Sequence, residues 1–259
     1  MSEYMANCWS NPTWKSCPPE NISERHLLIM VLLDTSISMR SCQSELNKAV
    51  RRLLNNLKED AATRGAAEVC VVQFGGDVRV LLPFQPLRLA QVPEVTCAGG
   101  TPLYEAVSVG LDLLEKRRRE LKERPVPVPL YKPFFFVISD GEPTDMPTDS
   151  FARLRAQQKP TRPGATCGRI FVYPVGLGDH FEKEQNQLTL ASLSAERQVF
   201  TGDYAQLSEC FRFVSSTTFA TLHTLDGEAV ELPTPEEFGL TRKQFTPAQI
   251  PFAEMLDDE

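Results

Sequence analysis

The chain has 259 residues, of which 42% are hydrophobic and 24% charged, with a formal net charge of −7 and a pI near 5.2. This is the composition of a soluble globular protein with enough chain for one large domain. The acidic balance excludes nucleic acid as the main partner, because phosphate binding needs a basic footprint, and no run approaches the ~20 apolar residues that cross a bilayer.

Residues 1–25 are polar and contain Pro12, Pro18 and Pro19, which marks an N-terminal arm. The arm has no basic start followed by an apolar core, so it is not read as a signal peptide. Trp9 and Trp14 are expected to fold back onto the body or onto a partner. The seven cysteines, Cys8, Cys17, Cys42, Cys70, Cys97, Cys167 and Cys210, include no CxxC pair. That argues against a zinc site and for a cytoplasmic protein with reduced thiols.

His26 to Leu33 is too densely apolar and too short for a helix, and predicts a strand buried on both faces. Leu46, Val50, Leu53, Leu54 and Leu57 then recur at helical spacing within 41–59. AEVCVVQF (67–74) is a second buried strand, and VRVLLPF, after the turn Gly75-Gly76-Asp77, closes an antiparallel hairpin with it. Residues 102–119 predict a helix that ends in the charged run Lys116 to Arg119, read as solvated or as a contact for an acidic partner. ERPVPVPLYKP, with four prolines, is a stiff connector.

PFFFVIS (133–139) is the most apolar strand and is expected at the centre of the sheet. A helix follows over 149–158, a strand over 168–176, a short helix over 187–194, an edge strand at QVFTG, and a last helix over 204–223 with Leu207, Phe211, Val214 and Thr218 on one stripe. Buried strands alternating with amphipathic helices give an α/β fold. We expect a doubly wound, mostly parallel sheet with one antiparallel edge strand and helices on both faces. The domain is expected to span 26–223, between the arm of 1–25 and an acidic, proline-containing tail of 224–259. Phe238, Phe245 and Phe252 could anchor that tail, which is expected to dock rather than stay free.

In an open α/β sheet, ligands bind beyond the carboxyl ends of the strands where the chain order reverses. DTSIS follows the first strand with Asp34, Ser36 and Ser38. AGGTP brings Thr101 after a glycine pair, and SDGEPTD brings Asp140 after the FFFVI strand. Two carboxylates and three hydroxyls, with no His or Cys in these segments, suit a hard cation such as Mg2+ or Mn2+. Each residue also has a structural reading. Asp34 or Ser36 would cap the helix near Ser41, Thr101-Pro102 would be a helix cap with proline at the first position, and Asp140-Gly141 would be a turn. The loop Glu142 to Pro147 is expected on the rim.

DxSxS after the first strand, Thr after a glycine pair and Asp closing a later strand resemble the von Willebrand factor type A domain and its metal-ion-dependent adhesion site. The resemblance covers about residues 26–223 and occupies all five positions, Asp34, Ser36, Ser38, Thr101 and Asp140; Ile37 stands where the family usually has glycine. The stretches VLLDTSISM (31–39), GGT and SDGEPTD look more narrowly like bacterial tellurium-resistance and chemical-stress proteins, which act beside a protein kinase and phosphatase. The resemblance implies that the serines and Thr101 contact the metal directly or through water, that the aspartates anchor waters, and that a partner protein supplies an Asp or Glu.

On this reading the protein is a metal-dependent docking adaptor in a stress-response or defence system, not an enzyme. The alternatives are a subunit that acts on an AAA+ ATPase and a Mg-dependent phosphatase with Asp34 as nucleophile. The phosphatase would need a second Asp where Ser36 stands. No GxSxG or GxxxxGK[ST] motif occurs.

Overall fold

The computed structural model describes residues 25–160, 168–224 and 230–246. The arm up to residue 24 with Cys8, Trp9, Trp14 and Cys17, together with Cys167 and Phe252, lies outside the described residues.

The elements in chain order are β1 (Leu27–Asp34), α1 (Gln43–Glu59), α2 (Ala61–Ala66), β2 (Ala67–Gly75), β3 (Asp77–Leu82), α3 (Leu103–Lys122), β4 (Phe134–Ser139), α4 (Ser150–Gln158), β5 (Phe171–Leu177), α5 (Glu184–Ala191), β6 (Gln198–Gly202), α6 (Leu207–His223) and β7 (Thr241–Gln244). They build a seven-stranded sheet in the order β3-β2-β1-β4-β5-β6-β7. Strands β2, β1, β4, β5 and β6 are mutually parallel. As the FFFVI run predicts, β4 takes the middle place.

Every residue of β1 and β4 is buried, because helices cover both faces and neither face has to meet water. Alternate residues feed two cores. Ile29, Val31, Leu33, Phe134, Phe136 and Ile138 pack against α1 and α6. Leu28, Met30, Leu32, Phe135 and Val137 pack against α3, α4 and α5.

Three expectations need correction. The sheet has two antiparallel edges, β3 and β7, rather than one. QVFTG is not an edge strand, because β7, from the segment read as tail, pairs along it from Gln198–Gln244 to Thr201–Thr241. All four residues of β7, TRKQ, are exposed, so it carries no apolar alternation to betray it; it is recruited through the backbone. Its Arg242 and Lys243 leave a charged edge that resists further strand pairing. The helix expected over 187–194 begins earlier, at Glu184. Its first turns bury the polar Asn186 and Gln187, and Gln187 Nε2 donates to the Phe181 carbonyl at 2.9 Å, so the start has no apolar stripe. The short helix α2, capped by the Asp60 carboxylate on the Thr63 N–H at 2.8 Å, is an additional element.

Residues 230–246 lie against the body. Thr234 and Glu237 form a capping box on the 3-10 turn Pro235–Phe238. The Phe238 ring sits 5.6 Å from that of Phe213, and Leu240 is buried in the same core. Leu240→Ala is expected to cost about 3 kcal/mol, the usual range for emptying a buried leucine site. Urea unfolding checks this; a loss below about 0.5 kcal/mol would mean that the strand is not anchored through its side chains.

Candidate metal centre

β1 ends on Asp34 and its neighbour β4 on Ser139, followed by Asp140. From β1 the chain crosses to β2 on one side, and it returns to β4 on the other. The carboxyl ends of β1 and β4 therefore flank the reversal of strand order, where α/β sheets hold their ligands.

Backbone hydrogen bonds tie the DTSIS and AGGTP loops and the β2–β3 turn together there. The Ile37 N–H donates to the Gly99 carbonyl at 3.0 Å, Ala98 N–H to Thr35 at 2.8 Å, and Gly76 N–H to Gly100 at 2.8 Å. Gly99 has φ +71°, and a Cβ on it would lie 2.4 Å from the Gly76 Cα. Only glycine meets both demands, and this close approach sets Thr101 beside the other two loops.

Asp34, Ser36, Thr101 and Asp140 are buried and Ser38 is half-buried. Asp34 Oδ1 accepts the Ser36 N–H at 2.8 Å, and its Oδ2 accepts the Ser139 hydroxyl at 2.5 Å. The Ser38 hydroxyl donates to Asp140 Oδ1 at 2.8 Å and lies 2.9 Å from the Ser36 Oγ. With Ser38 donating to the acid, Ser36 is the donor in the serine pair. Both protons then run toward Asp140, and lone pairs remain on the serine oxygens. An ideal Cβ built on Gly141 would lie 3.8 Å from Thr101 Oγ1 and 3.9 Å from Ser38 Oγ. The absent side chain thus leaves space between the two hydroxyls.

Two buried carboxylates face one another, and among the described residues neither forms an ion pair. Burial, then the Asp140 charge, push the Asp34 carboxyl up to about 6. Hydrogen bonds from Ser139 and Ser36 oppose them only in part. A cation fits this excess of negative charge and these hydroxyl oxygens. No group of three or more His, Cys, Asp or Glu side chains suited to a metal exists among the described residues. Asp34, Ser36, Ser38, Thr101 and Asp140 offer oxygen donors only and two negative charges, the chemistry of a hard divalent ion that keeps waters.

The helix-cap readings do not hold. The Ser36 side chain makes no capping bond to the 3-10 turn Ile37–Cys42, and α1 has no side-chain cap. The start of α3 likewise takes none from its own flank. Asp145, in the rim loop, performs that task from a distance, its Oδ2 accepting the Glu105 N–H at 2.9 Å. Burial raises the Asp145 pKa, against hydrogen bonds from the backbone of the first turn of α3. The same loop braces Thr101, whose N–H donates to Thr144 Oγ1 at 2.8 Å while its carbonyl accepts the Thr144 N–H at 2.9 Å. The Thr101 hydroxyl itself has no hydrogen bond among the described residues. Ile37 and Met146, 53% and 82% exposed, stand on the rim.

Sequence reasoning missed three contributors. Ser139 precedes Asp140 directly, and its polar side chain at the end of a phenylalanine-rich strand was the available signal. Asp145 lay in a loop already singled out, without a hint of its helix partner. Tyr204, whose hydroxyl donates to Asp140 Oδ2 at 2.5 Å, comes from 64 residues away with no local pattern. Cys42 and Cys97 are free and buried in one core. Burial first, then neighbouring Cys97 and Asp140 for Cys42 and Asp34 and Asp140 for Cys97, push their thiols up to about 12 and about 11. At neutral pH they are protonated packing groups.

A family model described as von Willebrand factor type A domain matches residues 29–212. Among solved structures, the chain is similar to proximal thread matrix protein 1 from the mussel byssus at 16% identity and a TM-score of 0.52, over 74% of this chain and 48% of that one. A von Willebrand factor type A protein from Catenulispora acidiphila gives 16% identity and a TM-score of 0.54, over 76% and 43%. A further structure of the mussel protein, titled as having a zinc-occupied MIDAS motif, gives 16% and 0.50, over 74% and 48%. The chain thus spans less than half the length of these solved chains, and at such identities the likeness is one of fold. No curated protein matches the sequence.

Proposed function

The chain belongs to the von Willebrand factor type A domain family, and from that premise we propose that it is a metal-dependent protein–protein docking module. Asp34, Ser36, Ser38, Thr101 and Asp140 would hold one divalent cation, Mg2+ or Mn2+, and the partner would complete the site with an Asp or Glu side chain. The observation that carries this reading is the pair of facing, buried carboxylates without an ion pair, surrounded by hydroxyls that have lone pairs to give. When bound, the cation supplies a positive charge short of one anionic ligand. The zinc-occupied motif of the mussel protein supports a divalent ion at this place in the fold.

The residues of the chain do the rest. Ser36 and Ser38 hold their protons toward Asp140, which orients their lone pairs. Thr101 offers a hydroxyl that no described group claims. Ile37 and Met146 offer apolar contact beside the charge, as a protein partner requires.

We read the module as non-catalytic. Asp34 would be the nucleophile of a phosphatase, and here its two oxygens accept the Ser36 N–H and the Ser139 hydroxyl. The position two residues on, where a phosphatase keeps its general acid, is Ser36. A cytoplasmic adaptor of the bacterial stress-response or defence type, working beside a protein kinase and phosphatase, is the setting that the VLLDTSISM, GGT and SDGEPTD stretches support. Among the described residues no helix is long and apolar enough to cross a membrane.

The test is capture from source lysate on the tagged protein, with Mg2+ and with chelator. A partner held in Mg2+ and released by chelator is expected, whereas one held equally in both would place the docking surface elsewhere.

A further inference from the structure

Asp140 has both of its carboxylate oxygens engaged. Ser38 donates to Oδ1 from inside the site at 2.8 Å, and Tyr204 donates to Oδ2 at 2.5 Å from the far side of the sheet end. The phenol is braced by its packing and by its turn. Its ring lies across the backbone of Gly178, at the exit of β5, where φ is +83° and a Cβ would fall 2.3 Å from the Tyr204 Cζ. It opens the 3-10 turn Tyr204–Gln206, fixed by a capping box between Asp203 and Gln206. Gln206 in turn donates through Nε2 to the Gly239 carbonyl at 2.5 Å, so the segment that ends in β7 braces the same turn.

We propose that Tyr204 is a tether on Asp140, a positioning residue that holds this carboxylate back so that it cannot grip the cation with both oxygens. The inference rests on the metal-site reading above and deepens it. A carboxylate with one oxygen tied to a phenol that is itself packed in place can serve the ion through Oδ1 or through a water, but cannot turn both oxygens inward. The ion's charge then stays unmet on the protein side, which leaves it receptive to a carboxylate from a partner. The tether also discriminates between ions. Ca2+ takes six to eight oxygens and often a bidentate carboxylate, whereas Mg2+ takes six in a tight octahedron and keeps its waters. Denying the bidentate grip penalises Ca2+ selectively.

Tyr204→Phe tests this, because the ring and its packing on Gly178 remain while the donor is lost. Calorimetric titrations of Ca2+ and of Mg2+ into wild type and variant read the effect, with thermal melting in chelator to confirm that the variant is folded. Freed from the phenol, Asp140 should let Ca2+ bind about tenfold tighter, the scale of one hydrogen bond to a charged group, with Mg2+ affinity changing less. A Ca2+/Mg2+ affinity ratio that does not move, or both affinities falling together, would overturn the tether and leave Tyr204 as ordinary support. Wild-type protein that binds neither ion would overturn the metal site itself, a result distinct from an unchanged ratio in a protein that binds.

Discussion

Replacing Arg117 with methionine is expected to destabilise the fold by about 3–5 kcal/mol, the cost of removing one partner from a buried ion pair. Arg117 lies in the charged run of α3, yet its side chain is only 4% exposed and that of Glu68 on β2 only 1%. Their pairing is bidentate, with Nε donating to Oε2 and Nη2 to Oε1, both at 2.7 Å, and Nη1 reaching Glu120 at 3.0 Å. Without the guanidinium, Glu68 would remain buried and unpaired at the start of its strand, with no route to water. Exchanging both partners, Arg117→Met with Glu68→Leu, should recover most of the loss, because two apolar groups of similar volume leave no charge stranded. Chemical denaturation of the two single variants and the double variant measures the coupling. A loss below about 1 kcal/mol for Arg117→Met would mean that the pair behaves as an exposed one.

This pair lies toward the end of α3 remote from the candidate site, so its loss should act on stability and not on the loops that carry Asp34, Thr101 and Asp140. The second large effect runs the other way. Thr101→Ala is expected to weaken divalent-cation binding by more than about tenfold, since a small site that loses one oxygen ligand loses a contact water replaces poorly. Stability should change by less than about 1 kcal/mol, as is usual where no packing or hydrogen bond is disturbed. The asymmetry follows from the geometry. The Thr101 hydroxyl has no hydrogen bond among the described residues, the loop is braced instead through the Thr101 backbone and Thr144, and α3 is capped by Asp145. Function and stability therefore separate at this residue, which makes it a cleaner probe than Asp34 or Asp140. Those two support the hydrogen bonds of their own loops, and replacing either would loosen the site whether or not a cation binds.

Much of this was legible in the chain because the signals are local. A run such as LLIMVLLD can only be a strand buried on both faces, and the short turn at Gly75-Gly76-Asp77 forces a hairpin. DTSIS, AGGTP and SDG each mark a strand end or helix start, so the topology of an α/β sheet suffices to gather Asp34, Ser36, Ser38, Thr101 and Asp140. What escaped depends on long-range geometry. β7 has four exposed polar residues and joins the sheet along its backbone, so no apolar periodicity announces it. Arg117 looks like its neighbours Lys116 and Arg118 in sequence; only the position of Glu68 across the helix–sheet interface sets it apart. Tyr204 reaches Asp140 because Gly178 lets its ring cross the end of β5, a relation between residues distant in sequence that spacing cannot express.

The central claim is that one divalent cation binds among these five side chains. Calorimetric titration of Mg2+, and separately of Mn2+, into the wild-type protein and into Thr101→Ala tests it most directly. The expected result is one ion per wild-type chain, with binding weakened more than about tenfold in a variant of unchanged stability. Equal binding by both proteins, or none by wild type, would contradict the claim and reduce DTSIS to the turn that leads into α1.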